Sequence, residues 1–491
     1  EVNAVGNHEF DRGRQELLRM QRGGCERHTA REPCQVERFT GADFRFLSAS
    51  TFTEDGSTLF PGTGIKSFGS GADAVAVGFI GLTLKDTPRL VSPGGIEGLE
   101  FGDEADAINA AVPQLKAQGA DAVVVLIHQG GKTSGDPDPN GCNALSGEIL
   151  PILTRLDPRV DVVVSGHTHW AYVCDYGTID PARPILLTSA GVYGELVTDI
   201  TLTIDPRTDR VTGKRAHNVI VQSPGYSSGR GEAPNTDLYP RFAPRQDVAD
   251  YIARYTEAAK AFAGRPVGRI SGPAARPESA GANSGGPLGN LIADSQLAAT
   301  RDAGAQIAFM NPFGIRAPLD PAPDGTLTFG DIYRTQPFGN TLLTQTMTGA
   351  EIKAALEQGL DEDGPEQLLA PSAGLVYRYD RSRPSGNRVV GIELDGKPID
   401  AAVDYRVTVN NFLAGGGDGF SAFTRQRDAM TGPGDIDAFE AWLKGATPRA
   451  VPQEERTVDA AAQQHSLSLS GFRALRNPPL PASSAQRAPL P

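Results

Sequence analysis

Ala122-Val123-Val124-Val125-Leu126-Ile127 is followed at once by His128. An unbroken apolar run of this length, rich in β-branched residues, reads as a strand covered on both faces, the kind found in an α/β sheet. Three more runs read the same way: residues 74–82 (AVAVGFIGL), 160–164 and 185–188. Residues 105–118 between two of them read as a helix, and the Gly/Pro/Asp-rich residues 133–141 as a loop beyond a strand end. The spacing therefore predicts an α/β sandwich in the first half. The placement of His128 is informative because ligands in open α/β sheets bind beyond the carboxyl ends of the strands.

Two other strand ends carry similar chemistry. Gly6-Asn7-His8-Glu9-Phe10-Asp11 follows a short apolar stub, and Gly166-His167-Thr168-His169 follows the run ending at residue 164. The chain has seven histidines, and His8, His128, His167 and His169 are four of them. A single histidine at a strand end is most simply structural. Four on one rim, beside an asparagine and an aspartate, point to metal, since amide oxygen and neutral imidazole nitrogen suit Mn, Zn, Co or Fe.

The remainder of the chain divides by composition. Residues 223–240 are polar and Gly/Pro-rich and read as a linker or flap. Residues 244–263 read as one long helix with Val248, Ile252, Tyr255, Ala259 and Phe262 at helical spacing. A second unit then begins near Arg265. In it residues 288–300 read as a helix and 307–310 as a strand, and Thr348-Gly-Ala-Glu351 opens a helix with a capping box. Residues 389–394 and 405–409 read as strands. Beyond about residue 458 the Ser/Ala/Pro/Arg-rich sequence has no periodicity and reads as a disordered tail. The expected organisation is a catalytic domain over 1–222, a linker and helix over 223–263, a substrate domain over 264–458 and a tail over 459–491.

At 491 residues the chain is too long for a single core. Its 46 basic and 59 acidic residues give a net charge of −13, which argues against nucleic-acid or anionic-membrane partners. No apolar stretch approaches the ~18–20 residues needed to span a bilayer. Four cysteines, Cys25, Cys34, Cys142 and Cys174, allow three pairings. All sit in what read as polar loops, which favours Cys25–Cys34 and Cys142–Cys174 in an exported protein, secreted, cell-surface or periplasmic.

GNHEFD, one histidine after a buried strand, and GHTH together resemble the calcineurin-like metallophosphoesterases. Four later motifs narrow the resemblance to the 5′-nucleotidase branch, with its UDP-sugar hydrolases and 2′,3′-cyclic phosphodiesterases. They are Leu288-Gly-Asn-Leu-Ile-Ala-Asp294, Asn311-Pro-Phe-Gly-Ile-Arg316, Gln336-Pro-Phe-Gly-Asn340 and Asn411-Phe-Leu-Ala-Gly-Gly-Gly-Asp-Gly-Phe420. The resemblance covers about residues 1–458. It implies a four-layer-type α/β sandwich metallophosphoesterase domain, followed by a separate α/β nucleoside-binding domain.

It also implies roles. Asn7, His128 and His167 would hold one divalent ion and His169 a second (Mn, Zn, Co or Mg), while His8 acts on the substrate and Asp11 orients it. Phe338 and Phe412 would sandwich the base, and Asp418 would accept the ribose hydroxyls. Arg316, Asn311 and Asn340 would hold phosphate, sugar or base. The substrate class is a small nucleotide, hydrolysed by water with no covalent nucleophile. The family also uses an Asp-x-His and a Gly-Asp ahead of GNHEFD, and on the resemblance this sequence starts between them and that motif. On that resemblance the chain is an N-terminally truncated enzyme that binds metal weakly. An arginine ahead of the LGN segment belongs to the family pattern too, with Arg276 the candidate but in no clear register. The alternatives are a non-catalytic nucleotide-binding protein and the family's sulfur-oxidising hydrolase relative.

Overall fold

The computed structural model describes residues 1–461, apart from 30–31, 72–73, 92, 135–137, 209, 223, 229–230, 277–283 and 362–365. The expected tail therefore lies, past residue 461, outside the described residues. The chain divides into two compact units, Glu1–Lys260 and Ala261–Pro491.

The first unit is built on a six-stranded sheet. Its order is Thr63–Phe68, Val75–Thr83, Ala122–His128, Val162–Ser165, Leu186–Ala190 and Ala171–Asp175. The four strands from Val75–Thr83 to Leu186–Ala190 run parallel, and the two edge strands are antiparallel to their neighbours. The apolar run of Ala122–His128 is explained by what covers it. Val123, Val125 and Ile127 pack with Ile108, Val112 and Leu115 of the helix Glu104–Ala117. Ala122 and Val124 face the other way and pack with Ile200, Leu202, Ile204 and Val211 of the long hairpin Leu196–Asp205/Arg210–Ile220. Both faces are covered, so residues 122–127 are all apolar. A separate two-stranded parallel pair, Val2–Ala4 with Arg45–Leu47, delivers the segment that carries Asn7 and His8.

The helix expected over 244–263 forms as Gln246–Ala263, yet none of its residues is buried. Val248, Tyr251, Ile252 and Phe262 are exposed, so the periodic apolar positions do not mark a core face here. The stretch expected as a linker contains a short hairpin, Tyr226–Ser228 with Gly231–Ala233.

The second unit holds a five-stranded sheet in the order Ala370–Pro371, Ile307–Met310, Asp404–Asn410, Thr341–Thr348 and Arg427–Gly434. In the strand Ile307–Met310, Ile307 and Phe309 join a core with Ile352 and Leu356 of the helix Gly349–Gln358. Met310 packs instead with Leu288, Leu291 and Ile292 of the helix Gly286–Ala299. The expected capping box is present: Thr348 accepts from the Glu351 N–H, and Glu351 accepts from the Thr348 N–H at 2.8 Å. The strand Thr457–Asp459 completes a second, four-stranded sheet, so ordered chain continues just past the expected start of the tail.

Both expected disulfides are present, Cys25–Cys34 and Cys142–Cys174. One expectation about them needs correction. Cys174 is not in a polar loop but fully buried in the strand Ala171–Asp175, because that edge strand packs its Cys174 and Tyr172 into the helix-side core.

Candidate functional site

The parallel strands of the first unit end together, and their carboxyl ends bring four of the expected imidazoles into one cluster. The rings of His128 and His167 lie 5.2 Å apart at 62°. His8 and His169 both act electrostatically on each of them. Burial, and then the neighbouring imidazoles, push His128 down to about 3. The same causes push His167 down to about 4, opposed by Asp86 in the loop beyond Val75–Thr83. Both rings are therefore neutral near pH 7 and present nitrogen lone pairs rather than a second N–H.

The segment Gly6-Asn7-His8 closes against this cluster. A Cβ at Gly6 would fall 2.7 Å from His128 Cε1, so only glycine lets the backbone approach the ring. Asn7, next along, is 3% exposed, and its Oδ1 is buried without a hydrogen-bond donor among the described residues. A buried amide oxygen left unpaired is costly in a native protein, and it is a donor atom of the kind a hard or borderline cation takes. Asn7 and the neutral imidazoles fit a divalent metal. Among the described residues no three His, Cys, Asp or Glu side chains converge closely enough to hold one alone; the amide supplies a further donor.

His8 stands at the open side. Its Nδ1 lies 3.0 Å from Asp11 Oδ2, one turn later in a short 3₁₀ segment, so the Nδ1–H donates to the carboxylate. Asp11 does not cap the following helix, whose N-cap is Gly13. His167 and His169 both have left-handed backbones, with φ of 66° and 61°. Non-glycine residues in that region cost free energy and concentrate at functional sites.

Sequence reasoning missed the residues that hold these loops. Thr168 Oγ1 donates to the Gly131 carbonyl at 2.7 Å, tying the GHTH loop to the segment after His128. Tyr172 Oη accepts the Gly131 N–H at 3.0 Å and contacts Ser165 Oγ at 2.7 Å. The signal was available in Thr168, a hydroxyl between two candidate ligands.

In the second unit the expected residues form two linked groups. Asn311 Nδ2 donates to Asp418 Oδ2 at 2.7 Å, and Asn410 Nδ2 donates to Asn311 Oδ1 at 3.0 Å. Gln367 Nε2 reaches the Asp418 carbonyl at 3.1 Å. Phe412 lies over Gly417, where a Cβ would be 2.5 Å from its Cζ, so the glycine run seats that ring while placing Asp418 at φ 56°. Arg316 stacks its guanidinium 5.8 Å over the Phe338 ring. Asn340 accepts the Asp435 N–H at its carbonyl, and the next residue, Thr341, donates to Asn411 Oδ1 at 2.9 Å. Arg276 also belongs to this set: its Nη1 donates to the Pro312 carbonyl at 2.7 Å, inside the NPFG motif. Asn410 was hidden because an N-cap asparagine, which it also is, reads as ordinary helix punctuation.

Residues 266–425 match the family described as 5′-nucleotidase, C-terminal domain. The endonuclease YhcR of Bacillus subtilis is 29% identical over 449 residues, covering 90% of this chain and 32% of that protein. The cell wall protein Lmo0130 of Listeria monocytogenes is 29% identical over 459 residues, covering 90% of this chain and 56% of that one. The chain thus spans only about a third to a half of these curated relatives. A 5′-nucleotidase precursor from Thermus thermophilus superposes with a TM-score of 0.68 at 27% identity, over 94% of this chain and 83% of that chain. The chain is therefore similar over nearly its whole length to a 5′-nucleotidase precursor, and its residues 266–425 match the 5′-nucleotidase C-terminal domain.

Proposed function

We propose that this protein hydrolyses phosphate esters of nucleotides, with divalent cations held by Asn7, His128, His167 and His169. The observation that carries the reading is the buried Asn7 Oδ1, with no partner among the described residues, one residue from the Gly6–His128 contact in a cluster whose imidazoles are held neutral. Two bound cations, one on Asn7, His128 and His167 and one on His169, would supply positive charge against the phosphoryl oxygens and make water acidic near neutral pH. His8 in its doubly protonated form, its Nδ1–H committed to Asp11, would give the Nε2 proton to the departing alkoxide. The second unit recognises the nucleoside: Phe338 and Phe412 offer stacking faces, and Asp418 accepts hydroxyl protons. Asn311, Asn340 and Arg316 contribute polar contacts to sugar, base or phosphate. The division of labour follows residues 1–222 for chemistry and 264–458 for recognition.

The negative net charge favours free nucleotides over nucleic acid as substrates. Two disulfides and similarity to a protein named as a cell wall protein support a location outside the cytoplasm. No helix among the described residues is long and apolar enough to cross a membrane.

Phosphate release from AMP at millimolar Mn²⁺, with and without His128→Ala, tests the proposal. Turnover that His128→Ala abolishes is expected. A protein that binds adenosine yet releases no phosphate from AMP, cyclic AMP or UDP-glucose would be a nucleotide-binding protein instead.

A further inference from the structure

Asp435 is the first residue of the helix Asp435–Lys444, is 3% exposed, and has no part in the chemistry described above. Its N–H donates to the Asn340 carbonyl at 2.8 Å, and its carboxyl hydrogen-bonds the Asn340 side chain as well. Asp435 Oδ1 also accepts the N–H of Ile436 at 2.7 Å. Asn340 is thus gripped at both its main chain and its amide. On the other side of the same loop, Thr341 donates to Asn411 Oδ1, and Phe412 is the next residue. One buried carboxyl therefore terminates a chain of contacts that runs through Asn340 and Thr341 to the segment bearing Phe412 and Asp418.

Burying a carboxyl is costly unless its hydrogen bonds are well made. Burial pushes Asp435 up to about 7, opposed by the hydrogen bonds from Ile436 and Asn340; Asp437, on its own helix, is the charged group acting on it. The N-cap of this helix is Gly434, so capping does not account for a buried carboxyl at position 435. What the carboxyl adds over a shorter hydroxyl is reach to the Asn340 amide.

We infer that Asp435 is a positioning residue for nucleoside recognition, acting through Asn340. The inference rests on the reading of the second unit as the nucleoside-recognising half.

The test is calorimetric titration of adenosine into the full chain without metal, comparing native protein with Asp435→Ser, Asp435→Asn, Asn340→Ala and Asp435→Ser/Asn340→Ala. Serine keeps a hydroxyl but is too short to hold Asn340; asparagine keeps an acceptor at the same reach. Asp435→Ser should weaken adenosine binding about tenfold and Asp435→Asn by less than about threefold, the scale of one hydrogen bond to a buried acid. The double variant should bind no worse than Asn340→Ala. Hydrolysis of p-nitrophenyl phosphate, which has no nucleoside, should be unchanged in Asp435→Ser. Native-like adenosine binding by Asp435→Ser, losses that add in the double variant, or an equal fall with p-nitrophenyl phosphate would each overturn the inference while leaving the nucleoside reading intact. Failure of the native protein to bind adenosine would overturn both. Should Asp435→Ser not fold, Asp435→Asn decides in its place when combined with Asn340→Ala: additive losses overturn the inference and non-additive losses support it.

Discussion

Asn311 donates its Nδ2 hydrogen to Asp418 Oδ2 at 2.7 Å, joining two motifs 107 residues apart. The amide holds the carboxylate that the proposed function assigns to the ribose, and Asn410 in turn holds the amide. Asp418→Ala should raise KM for AMP at least about tenfold with little change in kcat, because the loss falls on binding shared by ground and transition states. Asn311→Ala should do part of the same. The double variant should fall short of the sum by about 1–3 kcal/mol, the coupling expected of residues in one hydrogen-bond network. Steady-state kinetics on the four proteins measures the cycle, and strict additivity would show that the contact is incidental.

The His8–Asp11 contact makes a different prediction, since it concerns the chemical step. Removing a general acid costs about 10²–10⁴ in rate. His8→Ala should lose kcat on that scale, and Asp11→Asn by less, because the ring remains while its orientation is relaxed. KM for AMP should move less than twofold in both. A large KM effect with kcat preserved would make His8 a binding residue.

The depressed His128 and His167 have a consequence for stability. Free imidazole titrates near ~6.5, whereas these two remain neutral in the folded protein down to about 3 and about 4. The unfolded chain therefore takes up protons below pH ~6.5 that the folded protein refuses, and stability is lost as pH falls through that window. Metal-free protein should melt at lower temperature at pH 5.5 than at pH 7.5, and His128→Asn should flatten the difference.

Metal addition should act in the opposite sense. Millimolar Mn²⁺ should raise the melting temperature at pH 7.5 and do so less at pH 5.5, where protons compete for the ligands. EDTA should reverse the gain, and Asn7→Ala or His128→Ala should remove it. Thermal scans with no response to Mn²⁺, Zn²⁺ or Co²⁺ would sink the metal reading of this rim.

The two disulfides should differ in weight. Cys142–Cys174 closes 32 residues and anchors a buried edge strand, whereas Cys25–Cys34 closes nine. Loop-closure entropy favours the longer bridge, and a typical loss is about 2–4 kcal/mol. Denaturant unfolding of Cys142→Ala/Cys174→Ala should show the larger drop; an equal drop for the pair at 25 and 34 would contradict this.

Much of the molecule is legible in its residues. The strands Ala122–His128 and Ile307–Met310 are found almost to the residue, because a strand covered on both faces has no polar position within it to blur it. The histidines are legible because strand ends converge in any open α/β sheet. The helix Gln246–Ala263 shows the opposite case: its apolar spacing is genuine, but periodicity cannot say what, if anything, covers the face. Cys174 is misplaced for a related reason, since its short edge strand is flanked by polar residues and reads as loop.

The amino-acid sequence by itself determined the fold class, the rim on which the histidines gather and the motifs of the second unit, and it favoured one cysteine pairing among three. These are carried by local pattern and by residue type at fixed spacing. Tertiary structure alone decided that Asn7 Oδ1 is buried with no partner among the described residues, that His128 and His167 are neutral, and that Asp435 grips Asn340. Each of those depends on desolvation or on a partner far along the chain. Burial is a property of what packs around a group, and no local stretch of sequence contains it.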